Sequence, residues 1–436
     1  MSTFKYAFLK NFGCKVNQSE SESLMRELQN YLYFVDNVNL ADIIFVNSCA
    51  VTDRASKKTL TFIKNVKKNY PEKKLIVMGC LSYLLKEKRV NHKIDLIVSN
   101  EDKQHIGDIL TSLSYTSQSV VECSENIHSF RTRAFLKIQD GCDNFCSYCI
   151  IPFLRGAPIS KSPNSIINEL KNLLVYGYKE VVLVGIHLGK YGIGSNNKLS
   201  SLLSLIEKIG GDFRVRLSSI EINELDEDLI DIIAGSNKIC HHLHIPLQSG
   251  SNKILKLMNR KYDSGKFIGS INKLFRKIPD ISIGFDVIAG FPGESESDFN
   301  ETFALIKEIK PHYLHVFPYS DRPYTKACDM TNKVDKIIIK DRVCKLRELG
   351  KQLKVRAYQN KLGKKLRVLV EKDYVGYSDD YFKVKVDKGD VNSFCCVIIN
   401  ECNMKKVILG GTNVKENFDN RGFCSRGISC CESEKM

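Results

Sequence analysis

Apolar and polar positions change rhythm three times along the chain. In the first stretch, the short apolar runs FKYAFL, DIIFVNS and KLIVMG alternate with amphipathic segments over about Ser19–Tyr33 and Asp53–Asn69. The runs read as strands and the segments as helices, and a further strand is expected within Asn91–Asn100. Strand and helix in regular succession predict an open parallel α/β sheet. The polar passage Thr111–Ser129 reads as a linker. A second strand-helix series follows, with FLKIQ, VVLVGI, FRVRLSS, HHLHIPL, ISIGFDVIAG and YLHVFPY as strands and helical periodicity such as Ser165–Tyr176 between them. That series predicts a complete or partial β/α barrel. After a basic helix over about Lys333–Tyr358, the runs KLRVLVEK, YFKVKVD, CCVIINE and KKVILGG take up the two-residue period of a small all-β barrel. The expected division is therefore 1–125, 126–357 and 358–411, with a polar tail over 412–436 whose composition suits disorder.

Length and composition narrow the class. A chain of 436 residues exceeds one hydrophobic core, and 43% hydrophobic with 26% charged residues is ordinary for a soluble globular protein. No apolar run approaches the roughly 18 residues a membrane span needs. The start MSTFKYAFLKNFG lacks the ordered parts of a secretory signal, so a cytoplasmic location is expected. The formal charge of +15 is unevenly spread: Thr331–Lys372 carries 14 Lys and Arg against 4 Asp and Glu. A surface kept merely soluble needs no such concentration, which points to a polyanion such as nucleic acid.

Sixteen cysteines in a reducing compartment call for metal, catalysis or plain burial rather than disulfides. Cys142, Cys146 and Cys149 in GCDNFCSYCIIPFLRG have the spacing C-x3-C-x2-C, on the loop after the first barrel strand. Three thiolates on so short a loop can hold three irons of a [4Fe-4S] cube and leave the fourth iron open. A structural zinc would want a nearby fourth ligand, and between Asn126 and Ile186 only His128 is available.

This loop in such a barrel resembles the radical S-adenosylmethionine superfamily. The resemblance implies S-adenosylmethionine on the open iron and its cleavage to a 5′-deoxyadenosyl radical. It also suggests cofactor contacts at Gly185 in VGIHLG, at Ser218, Ser219 and Glu221 in RLSSIE, and at Gly290, Gly293 and Glu294 in DVIAGFPGE. Each of these fits a plain turn after a buried strand equally well. GIHLGK is too short between its glycines for a phosphate loop. In CHHLHIPLQSG, neighbours alternate faces, so Cys240, His241, His242 and His244 read as barrel strand rather than metal site, with Gln248 at its end toward the substrate.

Cys14, Cys49 and Cys80 each follow a predicted strand of the first domain, in FLKNFGC, IIFVNSC and LIVMGC. The carboxyl ends of parallel strands gather along one edge, so three cysteines far apart in sequence are expected to meet there. One such cysteine would be core; three suggest a second cluster. GCKVNQSES, NSCAVTDRASKK and IVMGC resemble the N-terminal domain of the tRNA methylthiotransferases, and the basic C-terminal barrel resembles that family's RNA-binding TRAM domain. KVNQ, AVTDRA and IQDGCDNFCSYCIIPFLRG are similar to the branch acting on N6-threonylcarbamoyladenosine rather than on isopentenyladenosine or a ribosomal protein.

The resemblance implies two [4Fe-4S] clusters and two S-adenosylmethionine molecules. One molecule methylates a sulfur held at the N-terminal cluster; the other yields the radical that activates C2 of the adenine. It further implies a tRNA anticodon loop as substrate and an electron donor such as flavodoxin or ferredoxin. Lys361, Lys364, Lys365 and Arg367 are the expected phosphate contacts. A non-catalytic RNA-binding protein with structural metal is the alternative of a different class. Cys424, Cys430 and Cys431 in the tail have no assigned chemistry.

Overall fold

The computed structural model describes residues 6–87, 94–113, 115, 132–195 and 197–414. Most of the expected linker and nearly all of the tail, with Cys424, Cys430 and Cys431, lie outside the described residues. No described helix is long and apolar enough to cross a membrane.

The first sheet has five parallel strands in the order Tyr33–Phe34, Tyr6–Asn11, Ile43–Ser48, Lys74–Gly79, Leu96–Ile97. Its central strands are apolar on both faces because helices cover both, as in Ile43, Ile44, Phe45 and Val46, all fully buried. The first helix runs Lys15–Leu28, some four residues earlier than its periodicity predicts. Tyr33 and Phe34 are withdrawn from it because they extend the sheet beside Tyr6 and Ala7.

The second unit is a partial β/α barrel. Arg133–Asp140, Glu180–Gly185 and Arg214–Leu217 run parallel in one sheet, and His242–Gln248, Ser282–Ala289 and Tyr313–Pro318 in another. Single bridges from Val215 to Ile239 and from Ser219 to His244 join the two. Leu243, Ile245, Ile283 and Phe285 pack outward against the helices in the main core. Their neighbours His242, His244, Gly284 and Asp286 therefore face the barrel interior.

The N-terminal domain packs against the first two strands of this half-barrel. Val16 packs on Val182 and Val184, and the Ser19 hydroxyl donates to the Phe135 carbonyl (2.9 Å) while accepting the Lys137 amide (3.1 Å).

The helix Lys336–Gln359 leads to a closed five-stranded barrel, Lys365–Val370, Val375–Ser378, Lys383–Val386, Ile408–Asn413 and Phe394–Asn403 in spatial order. The strand Val375–Ser378 is too short and too polar to stand out in the sequence pattern. The barrel docks through buried charge: Glu180 takes Arg214 Nε at 2.6 Å and Arg216 Nε at 2.9 Å, and Arg214 reaches Asp379 at 2.7 Å.

Candidate active site

The loop after Arg133–Asp140 is built from its own strand end. Gln139 donates to the carbonyls of Asp140 (2.7 Å) and Gly141 (2.8 Å) and accepts the His187 amide (2.8 Å). Gly141 has φ +72°, and a Cβ there would lie 2.0 Å from the Ala157 carbonyl oxygen, so only glycine lets the two chain segments close. The loop then turns through Cys142, Cys146 and Cys149 into the helix Ile151–Arg155.

Each of two thiols meets a basic group. His187 Nδ1 lies 3.4 Å from Cys142 Sγ, and Arg260 Nη1 donates to Cys146 Sγ at 3.3 Å. One turn, Ile222–Glu224 with its cap Glu221, orients both: Glu224 holds His187 Nε2, and Glu221 pairs with Arg260. Burial opposes charge on His187, but its bonds to Cys142 and Glu224 outweigh that and raise its pKa to about 9. Burial pushes the Cys149 thiol up to about 12, so without a metal or an added positive charge it stays protonated.

Cys14, Cys49 and Cys80 stand at three strand ends of the first sheet. Cys14 caps the helix Lys15–Leu28, Cys49 follows Ile43–Ser48, and Cys80 opens the helix Cys80–Glu87. After burial, the charge of Cys80 raises the pKa of both other thiols, which places the three within electrostatic reach of one another. Asn17 fixes the edge, accepting from Cys14 Sγ (3.3 Å) and donating to Asn47 Oδ1 and the Ser48 carbonyl (both 2.9 Å).

Neither triad is shaped for zinc. A tetrahedral Zn²⁺ with sulfurs at about 2.3 Å would draw them to about 3.8 Å of each other. Among the described residues, the group whose ligand atoms all lie within 4.8 Å is instead His244, Asp286 and His315. Three cysteines per site, not all within the reach of one ion, suit a cube with one open iron. Arg155, at the end of the cysteine-loop helix, reaches Cys80 Sγ at 3.4 Å and so ties the two triads together.

The other expected positions divide. Gly185 ends its strand beside Gln139, and Ser218 Oγ is buried without a hydrogen-bond partner, an orphan donor suited to a polar ligand. Ser219 is exposed, and Gln248 sits half-buried at a strand irregularity with φ +63°. Gly290 and Gly293 keep left-handed backbones, but Glu294 turns inward, accepting the Gly290 amide (2.7 Å) and pairing with Arg342 (2.7 Å). Its carboxylate therefore shapes the turn rather than offering itself to a ligand.

Of the four basic residues expected at phosphate, Lys364 and Lys365 are exposed. Lys361 is paired with Asp380 (2.6 Å) and Arg367 with Asp212 (2.6 Å), the Arg367 guanidinium also lying 3.8 Å over the Phe394 ring. These two secure the C-terminal barrel. A groove that sequence reasoning missed lies on the first domain, where Lys10, Arg54, Lys57 and Lys58 surround Phe12 and Phe62. Cations around aromatic rings suit a single-stranded nucleic acid. Its only sequence signal was the basic cluster in DRASKK.

An open half-barrel with a three-cysteine loop after its first strand defines the radical S-adenosylmethionine class. The chain matches the radical SAM superfamily over residues 136–306 and the uncharacterized protein family UPF0004 over residues 6–99. It is 36% identical to the threonylcarbamoyladenosine tRNA methylthiotransferase MtaB of Thermotoga maritima, over 92% of this chain and 95% of that one. It is 33% identical to the tRNA-2-methylthio-N(6)-dimethylallyladenosine synthase of Acetivibrio thermocellus, over 83% and 80%. The chain belongs to the tRNA methylthiotransferase family of radical SAM transferases. In fold it is similar to the radical S-adenosylmethionine methyltransferase TsrM of Kitasatospora setae, with TM-score 0.55 at 12% identity over 75% of this chain and 77% of that one.

Proposed function

We propose that the protein methylthiolates C2 of N6-threonylcarbamoyladenosine beside the anticodon of tRNA in the cytoplasm. In this reading Cys142, Cys146 and Cys149 hold one [4Fe-4S] cluster and Cys14, Cys49 and Cys80 a second. Two S-adenosylmethionine molecules serve the reaction, and flavodoxin or ferredoxin supplies electrons. The observation that carries it is Arg155, whose guanidinium contacts Cys80 Sγ at 3.4 Å from the helix that follows Cys149. Both cysteine sets therefore border one space.

When bound, the clusters and cofactor supply the radical and the methylated sulfur that an unreactive C2–H bond demands. The chain's own residues hold and orient. Arg260 and His187 donate to the sulfurs of Cys146 and Cys142 and favour their anionic form. Glu221 and Glu224 keep those two bases aimed. Ser218 presents a hydroxyl to the cofactor from the end of Arg214–Leu217.

Mass spectrometry of tRNA nucleosides from a strain lacking the gene tests the substrate. The expected loss is the 2-methylthio group on threonylcarbamoyladenosine; loss from dimethylallyladenosine instead would transfer the protein to the other branch.

A further inference from the structure

Beside the cysteine loop the surface carries a row of aromatic rings that belongs to no core. Phe145 lies between Cys142 and Cys146, Phe153 on the helix Ile151–Arg155, and Tyr324 on the segment after the strand Tyr313–Pro318. Phe145 meets Phe153 at 6.1 Å and 81°, and Phe153 meets Tyr324 at 6.1 Å and 43°. Yet the three residues are 54%, 44% and 46% exposed. The Tyr324 hydroxyl then donates to Glu87 at the end of the helix Cys80–Glu87, and Tyr83, one turn earlier on the same face, is exposed as well. The row therefore runs from the cysteine loop across to the first domain.

Backbone conformation holds the rings in place. Phe145 and Tyr324 have φ of +46° and +66°, a region that bulky side chains rarely adopt and that persists only where the surroundings enforce it. At Phe145 the enforcing contact is Asn259, whose side chain donates to the carbonyls of Asn144 (3.3 Å) and Phe145 (3.0 Å). Rings kept together in water mark a surface that a partner covers. The edge-to-face contact of Phe145 with Phe153 leaves no parallel gap for a base, and among the described residues no Lys or Arg lies over any of the three rings. The row differs in this from the groove around Phe12 and Phe62. Its cations stand at the rim instead: Lys261, bonded to the Asn259 side chain (2.9 Å), and Lys326, both exposed and without an ion pair among the described residues. The acids that flank the row in sequence are engaged, Asp143 by Lys190 and Asp321 by Lys333. An apolar centre with a basic rim suits an acidic protein.

We propose that this row docks a small acidic one-electron carrier, whose electron enters through the cysteine loop. Phe145 is joined directly to Cys146, so a carrier seated on the row lies a few bonds from a ligand sulfur, and electron transfer falls off steeply with distance. One electron leaves the reduced cofactor of the carrier and reduces the cluster; no bond forms or breaks at this surface. A contact that must release the carrier after each electron needs only a small patch. The proposal rests on the reading that Cys142, Cys146 and Cys149 hold a cluster.

The test uses anaerobically reconstituted full-length protein, with flavodoxin and its reductase as the carrier and dithionite as a reductant that needs no docking. Flavodoxin affinity, iron content and 5′-deoxyadenosine formation are measured. Phe153→Ser combined with Tyr324→Ser is expected to weaken flavodoxin binding about tenfold or more and to slow flavodoxin-driven cleavage at low carrier concentration. Iron and dithionite-driven cleavage should stay at the parent's values. Lys261→Glu combined with Lys326→Glu, which leaves the packing alone, should weaken flavodoxin binding at low salt and flatten its salt dependence. Unchanged flavodoxin affinity in both variants overturns the proposal. So does an equal fall in dithionite-driven and flavodoxin-driven cleavage, or a loss of anticodon stem-loop affinity with flavodoxin affinity intact, which would make the row an RNA platform. If the parent forms no 5′-deoxyadenosine even with dithionite, the cluster reading itself fails, whatever the variants do.

Discussion

Arg155 Nε donates to Cys80 Sγ at 3.4 Å across 75 positions of sequence and between two separate sheets. The same guanidinium pairs with Glu20 (2.8 Å) and Asp140 (2.9 Å), and none of its side chain is exposed. Replacing it with Met removes one cation from Glu20, which keeps Lys103 and Lys137, and from Asp140, which keeps Lys137. A loss of about 1–3 kcal/mol, the scale of hydrogen bonds to charged groups, is expected, read as a lower denaturant midpoint. An unchanged midpoint would show that the two domains are held by other contacts.

The two cysteine sets are expected to separate by role. Changing Cys142, Cys146 and Cys149 to Ala should halve the iron from about eight per chain and abolish 5′-deoxyadenosine formation. Changing Cys14, Cys49 and Cys80 should also halve the iron but leave that cleavage measurable while the methylthio product disappears. Normal tRNA modification by the second variant would reduce its site to a structural one.

RNA affinity and barrel docking are expected to respond to different lysines and arginines. Neutralising Arg54, Lys57, Lys58 and Lys364 should weaken stem-loop binding and flatten its dependence on salt, by about 0.7 in logarithmic slope for each phosphate left without its cation. Neutralising Lys361 or Arg367 should chiefly lower stability, because each is already paired within the protein. Equal salt slopes for parent and the fourfold variant would remove the groove from the RNA path.

Acid is expected to loosen the C-terminal barrel. Burial first, and then the charge of Lys361, depress the His312 pKa to about 4, against about 6.5 when unfolded. Between those values the unfolded chain binds the extra proton, so stability falls as pH drops from about 6.5 to 4. Arg214 and Arg216 hold Glu180 well below the usual carboxylate range despite its burial, so its contribution is present above about pH 4.5 and is lost below. His312→Asn, which can still accept the Ile283 amide, should flatten the upper part of the curve. A denaturant midpoint independent of pH from 7 to 5 would contradict this.

What the sequence disclosed followed from short-range regularity. Strand-helix alternation and cysteines placed after apolar runs are local patterns, so the helix Asp53–Asn69 could be read, and the two cysteine sets picked out as candidates, from the chain alone. Arg260, His187 and Arg155 could not, because each is defined by a partner dozens of positions away. The three groups around Asp286 were invisible for a similar reason. Reasoning along one strand separates His241 from His242, but it says nothing of Asp286 and His315 brought alongside by register. For the basic residues, composition counts charge without showing that Lys361 is paired with Asp380 and Arg367 with Asp212.

Ser19 satisfies a carbonyl and an amide on the unpaired side of the first barrel strand, where Ile159–Ser160 covers only Gln139 and Asp140. A bare strand margin invites pairing with other chains. Expressed without its N-terminal third, the half-barrel would present that margin to solvent and tend to aggregate. The boundary that looks like a natural place to cut the gene is therefore one where the two products would need each other to remain soluble.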